Sequence, residues 1–215
     1  MGSFLKGILG GFEGLVGTVV GTTWKDQDIM KSRSKKSKKA PVQEQIDQRN
    51  IFKMMVKFLT FLKDIVDIGY KSQDTSMTPM NAAMSYNLQN AVVGISPVFS
   101  IDFSQVVISV GARQRATVIT VAAEPGDVIK VDWEYTKVKT ASMTDTDLDD
   151  AFIIFFNAQD EMYNFEIVKR SVGTVSLTFP RRWQGDDLHG WLFFVSPDGK
   201  KASKSQYIGK VATIA

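Results

Sequence analysis

The chain contains no cysteine, which excludes a disulfide framework, a thiolate zinc site, an iron–sulfur cluster and a cysteine nucleophile. It has a single histidine, His189, so any centre built on two imidazoles is excluded as well. No stretch approaches the roughly 20 consecutive apolar residues that a spanning helix needs. The most apolar early stretch, residues 4–20, is broken by Lys6, Glu13 and five glycines. The same interruptions leave no apolar core of a secretory signal. Phosphate-binding fingerprints are missing too: residues 7–21 hold no G-x-x-x-x-G-K-[ST], and Gly11-Phe12-Glu13-Gly14 follows no strand signal.

What is present is ordinary globular composition. Of 215 residues, 44% are hydrophobic and 23% charged, enough apolar surface to bury a sizeable core and too much for wholesale disorder. Charge is unevenly placed. Residues 1–70 carry 12 Lys and Arg against 7 Asp and Glu, whereas 71–215 carry 14 against 16. Most of the basic excess lies in 25–39 (KDQDIMKSRSKKSKK), a self-repelling run that reads as an exposed connector. Ahead of it, glycines at 7, 10, 11, 14, 17 and 21 each disfavour helix by about 1 kcal/mol relative to alanine. The spacing therefore predicts an extended arm, with Val16, Val19, Val20 and Trp24 as strand-forming surface near its end.

After Pro41 the period becomes helical. Apolar residues at 52, 55, 56, 59, 62 and 66, with a second row at 51, 54, 58, 61, 65 and 68, predict a helix over about 42–68 whose stripe is wider than one face. So much apolar surface, Phe58 and Phe61 included, demands cover on two sides. Gly69 is expected in the left-handed position past its end. Thr78-Pro79 is expected to cap a second helix, about 79–92, closed by Gly94.

From about residue 100 the period is two. Candidate strands are 105–110, 117–122, 128–135, 151–156, 163–168, 174–179, 190–196 and 206–213, with turn signals at Pro125-Gly126-Asp127 and Pro197-Asp198-Gly199. Eight short strands in this spacing predict an immunoglobulin-like β-sandwich, with Trp133 and Trp191 central to its core. In 190–196, alternation sets Trp191 and Phe193 on one face and Leu192 and Phe194 on the other, so that strand is covered on both sides. The expected class is mainly β with α: a C-terminal sandwich preceded by two helices and a glycine-rich extended N-terminal arm. The expected division is 1–40, 41–99 and 100–215.

Chemistry finds little support. His189 follows Asp187 and stands near Ser196, but no G-x-S-x-G elbow supplies a nucleophile, and a histidine satisfied at a strand entrance is the simpler reading. Asp145, Asp147 and Asp149 alternate as in the opening of an EF-hand loop. The sixth position is Asp150 where glycine is required, and the twelfth is Phe156 where glutamate is required. No metal, cofactor or catalytic residue is expected. The basic run offers Lys31, Arg33, Lys35, Lys36, Lys38 and Lys39 to nucleic-acid phosphates. The same charge next to a glycine-rich apolar stretch would also suit anionic lipid, although Lys6 and Glu13 argue against insertion. Arg181, Arg182 and Trp183 form a cluster of the residue types that dominate protein interfaces.

The opening GILGGFEGLVGTVVGTTWK, the basic stretch, PVQEQIDQR at 41–49, MNAAMSYNLQNAV, AFIIFFN and LTFPRRWQGDDLHGWLFFVSPDGKKASKSQYIG together resemble a domain-of-unknown-function family of Bacteroidetes proteins. The stretch from Pro41 is also similar, more loosely, to phage-associated proteins. Ser34 stands where family members carry proline before the lysines. The resemblance implies no activity, cofactor or catalytic residue. The resulting expectation is a non-catalytic structural or adaptor protein, virion-associated or cytoplasmic, that docks on a partner or neighbouring subunit. Its docking residues would be Val16, Val19, Val20, Trp24, Phe58, Phe61, Arg181, Arg182 and Trp183. The alternatives are nucleic-acid binding through 25–39 and carbohydrate binding by the sandwich through Trp183 and nearby acids.

Overall fold

The computed structural model describes residues 3–4, 11–24, 27–35, 39–72, 77–135 and 146–214. The chain divides into two compact units, 1–42 and 43–215.

The first unit is not the extended arm that the glycine spacing suggests. It is an antiparallel sheet of four strands in chain order, β1 (Ser3–Phe4), β2 (Phe12–Val16), β3 (Val19–Trp24) and β4 (Gln27–Ser32). Valines and threonines favour strand, and glycine spacing lets neighbouring backbones close up. Part of the presumed basic connector is thus a strand, β4, paired with β3 from Val19↔Ser32 to Trp24↔Gln27.

In the second unit, the helix expected over 42–68 is two: α1 (Gln43–Phe61) and α2 (Lys63–Gly69), with the break at Leu62. Leu62, Ile65, Val66 and Tyr70 nevertheless stay in the same core as Met55, Phe58 and Leu59. Three helices, not two, precede the sandwich. The third, α3 (Pro79–Asn90), starts as its sequence dictates: Thr78 Oγ1 accepts the Asn81 N–H at 3.3 Å, with proline at the first helical position. It ends before Gly94, which lies instead at a φ of 110° in a short hairpin, β5 (Val92–Ile95) and β6 (Val98–Ile101). Gly69 is not left-handed. It is small because the chain at 108–109 crosses it, and a Cβ there would stand 2.5 Å from the Ile108 carbonyl oxygen.

Among the described residues, seven strands build the sandwich: β7 (Val118–Glu124), β8 (Val128–Glu134), β9 (Asp150–Asn157), β10 (Met162–Lys169), β11 (Thr174–Thr178), β12 (Asp187–Val195) and β13 (Gln206–Ala212). One sheet has the order β11-β8-β7 and the other β10-β9-β12-β13, all neighbours antiparallel. The first, second and fifth strands facing the third, fourth, sixth and seventh is the two-sheet layout of immunoglobulin-like domains. The segment 105–110, expected as an eighth strand, forms none. Side chains satisfy its backbone in place of a ladder. The Asn87 amide bonds both Val107 N and Val107 O at 2.8 Å, Ser205 Oγ accepts from Ile108 N at 3.0 Å, and the Tyr70 hydroxyl donates to Val107 O at 3.1 Å.

Two cores result, one on each face of β9 and β12. Ala151, Ile153, Phe155, Leu188, Leu192 and Phe194 face the opposite sheet, packing with Trp133. Phe152, Ile154, Phe156, Trp191, Phe193 and Val195 face the helices. That is why residues 151–156 and 191–195 read as unbroken apolar runs: each face is buried. Every large apolar side chain so enclosed contributes roughly 1.5–3 kcal/mol.

Candidate docking surface

In the first unit, β2 and β3 are joined by Gly17-Thr18, with Val16 opposite Val19. A two-residue hairpin turn requires positive φ, and Gly17 supplies it at 60°. Gly21 lies where Phe12 crosses, a Cβ there meeting the Phe12 carbonyl oxygen at 2.1 Å. Cross-strand pairing assigns the faces, because opposed residues point the same way. One face presents Phe12, Val16, Val19, Thr23, Asp28 and Met30; the other presents Leu15, Val20, Thr22, Trp24, Ile29 and Lys31.

Among the described residues neither face closes a core. Among the described residues of 11–35, Gly21 alone is buried. Met30 is 72% exposed and Trp24 49%, and Val16, Val19 and Ile29 are exposed with them. The sheet thus brings Val16 and Val19 to one surface and sets Val20 and Trp24 on the reverse. Ile29 and Met30 escaped sequence reasoning because they sit inside the basic run, where two apolar residues between charges look like linker. The only available signal was QDIMKS as a partner for VVGTTW across a two-residue gap.

The remaining expected docking residues are less available. Phe58 is buried against Phe156, ring centroids 5.2 Å apart, and Phe61 is half-buried beside the same core. Trp183 is only 2% exposed. Its indole N–H donates to Asp160 Oδ2 at 2.6 Å, while Arg182 Nε pairs with the same oxygen at 3.1 Å. The 181–183 turn is therefore a tie onto the β9–β10 turn, with Arg181 left at the surface. A carbohydrate platform on Trp183 has no exposed ring to use. Lys31, Arg33, Lys35 and Lys39 are exposed, and Lys39 takes part in a contact of its own. Lys36 and Lys38 lie outside the described residues.

The groups considered for chemistry are each engaged. His189 Nδ1 lies 2.9 Å from the Tyr207 hydroxyl, and its ring stacks on Phe103 at 4.0 Å between centroids. Burial pushes its pKa below the usual 6.5. Asp145 lies outside the described residues, and the aspartates that follow it are each engaged separately: Asp147 accepts from Tyr135 Oη at 2.6 Å, Asp150 pairs with Lys169 at 2.6 Å, and Asp149 is enclosed between Arg113 and Arg170. No cluster of three metal-ligating side chains occurs among the described residues. No helix among them is long and apolar enough to cross a membrane.

These features define an immunoglobulin-like β-sandwich backed by three helices, carried in one chain with a small sheet whose described residues bury only Gly21. The chain belongs to a family of unknown function, DUF6266, whose family model matches residues 11–209. No curated protein matches it. Among solved structures it is similar to the fn3 domain of human collagen alpha-1(XX) chain, at 13% identity and a TM-score of 0.36, covering 48% of this chain and 87% of that one.

Proposed function

We propose that this is a non-catalytic structural or adaptor protein that docks through its N-terminal sheet onto the same sheet of a neighbouring copy, with the 43–215 unit as a platform. The observation behind this reading is the sheet of β2, β3 and β4, apolar on both faces and, among the described residues, buried only at Gly21. A lone sheet needs a covering layer to be stable. Exposed contiguous apolar surface is a mark of interfaces. The face of Phe12, Val16, Val19 and Met30 carries no Lys or Arg among its described residues, only Asp28, so a second copy can approach it two-fold without opposing cations. Two such sheets face to face would form a sandwich about 10 Å deep.

The test is the mass of the full chain by light scattering. Val19→Glu should shift the protein to monomer while Trp24→Gln, on the reverse face, leaves the assembly intact. A wild-type monomer at every accessible concentration refutes the proposal. Salt-sensitive retention on DNA, lost when Lys31, Arg33 and Lys35 become glutamine, would favour the nucleic-acid reading instead. The virion setting that the looser resemblance implies is a separate question, answered by whether the protein co-sediments with particles.

A further inference from the structure

The 43–215 unit holds a cleft of about 370 Å³ between α1 and the ends of β6 and β9. Its floor is aromatic. Phe58 meets Phe103 and Phe156 edge to face, with centroids 5.6 Å and 5.2 Å away. The far side of Phe103 is held by the stacked His189, itself bonded to Tyr207, so the floor is fixed in place. Met54 and Ile101 complete the apolar wall.

The rim is cationic. Lys53 and Lys57, one turn apart on α1, both line the opening, and Lys57 is ion-paired with Glu161. No carboxylate pairs with Lys53 among the described residues, which leaves the rim one positive charge in excess. Glu161 adds a sign of construction. Its backbone φ is 54°, a left-handed conformation that a side chain other than glycine or asparagine adopts at a cost of about 1–2 kcal/mol. A turn that would be easier with glycine instead carries a carboxylate aimed at the cleft's own lysine, and strain of this sort collects at binding sites.

We infer that this cleft binds a small amphiphilic monocarboxylate, its aromatic or alkyl body on the Phe58, Phe103 and Phe156 floor and its carboxylate on Lys53. The volume lies at the lower end of the range for small-molecule sites, roughly 300–1,000 Å³, which fits an arylalkanoate or a medium-chain fatty acid and not a larger lipid. The apolar floor supplies affinity, and the unpaired ammonium selects the sign of the head group.

The experiment is titration of the full-length protein with 4-phenylbutyrate and decanoate, followed by calorimetry and by methyl and aromatic NMR shifts. Saturable binding is expected, with shifts centred on Met54, Ile101 and Phe103. The amines 4-phenylbutylamine and decylamine should bind about tenfold more weakly, a difference of about 1.4 kcal/mol. Lys53→Gln, a surface substitution, should abolish that preference, and Lys53→Glu should reverse it. Absence of saturation at millimolar ligand would overturn the inference. So would equal binding of acids and amines, a preference unchanged in Lys53→Gln, or shifts confined to residues 11–35. These readouts do not depend on self-association, so the cleft and the docking sheet stand or fall separately.

Discussion

Replacing Asp149 with asparagine removes the anion shared by two guanidiniums in the sandwich. The Arg170 and Asp149 side chains are both fully buried, Arg113 is nearly so, and both arginines are ion-paired to the Asp149 carboxylate. Arg170 is further fixed by a bond from Nη1 to Gln114 O at 3.0 Å and by stacking over Phe194, 4.0 Å from the ring centroid. Because Arg170 cannot leave, the variant encloses its guanidinium without the carboxylate that pairs with it. Breaking a buried ion pair from one side costs about 3–5 kcal/mol, about a fifth or more of a typical total stability of about 5–15 kcal/mol. For a unit of this size that corresponds to a fall in Tm of roughly 10 °C. The assay is urea and thermal unfolding followed by tryptophan fluorescence, since Trp133 donates to Arg170 O at 3.0 Å and reports on the network directly. The control is Asp187→Asn, which breaks the exposed Lys210–Asp187 pair at 2.9 Å and should cost less than about 1 kcal/mol. Equal losses in the two variants would refute the reasoning, because burial would then not be what makes Asp149 matter.

Two further outcomes follow from the packing. Burial lowers the His189 pKa against the opposing pull of Asp187, with Lys210 adding to the lowering. The unfolded chain therefore takes up the proton first, so stability is complete above the unfolded value of about 6.5 and erodes as pH falls through it. It is the chain's sole histidine. His189→Gln should flatten the dependence of urea midpoint on pH there, and an unchanged slope would assign the effect elsewhere. At Gly69, alanine would press a Cβ against the Ile108 carbonyl and Ser109, and the overpacking should cost about 1–3 kcal/mol. A neutral or stabilising Gly69→Ala in the same unfolding assay would show that the 108–109 segment yields freely.

The sandwich was legible because its strands advertise their surroundings. In β9 and β12, apolar residues at consecutive positions allow no solvent face, so the two-sided burial of Trp191 and Leu192 follows from their order in the chain. The broad stripe of α1 and α2 is the complementary surface, read correctly as needing cover though not as two helices. The docking residues were read less well. Trp183 carries an interface-like composition, yet whether a tryptophan in a turn faces outward depends on Asp160, which is 23 residues away and becomes its neighbour through the β9–β10 turn. Residues 105–110 alternate like a strand. They form none because Asn87, Ser205 and Tyr70 provide the hydrogen bonds that a neighbouring strand would have given.

By itself, then, the order of amino acids determined periodicity, and through it the layered sheet with helices on its outer face, since a period of two or 3.6 fixes which side chains share a surface before any partner is known. It also determined the excluded chemistries, which depend on residue types alone. The tertiary structure decided everything that rests on distant neighbours. It set the true use of Gly69, the burial of Arg170 with Asp149, the cleft beside Lys53, and the folding of residues 12–32 into a sheet that leaves Trp24 and Met30 exposed. In each case the deciding energy comes from groups far apart in the chain, and local pattern carries no record of which of them will meet.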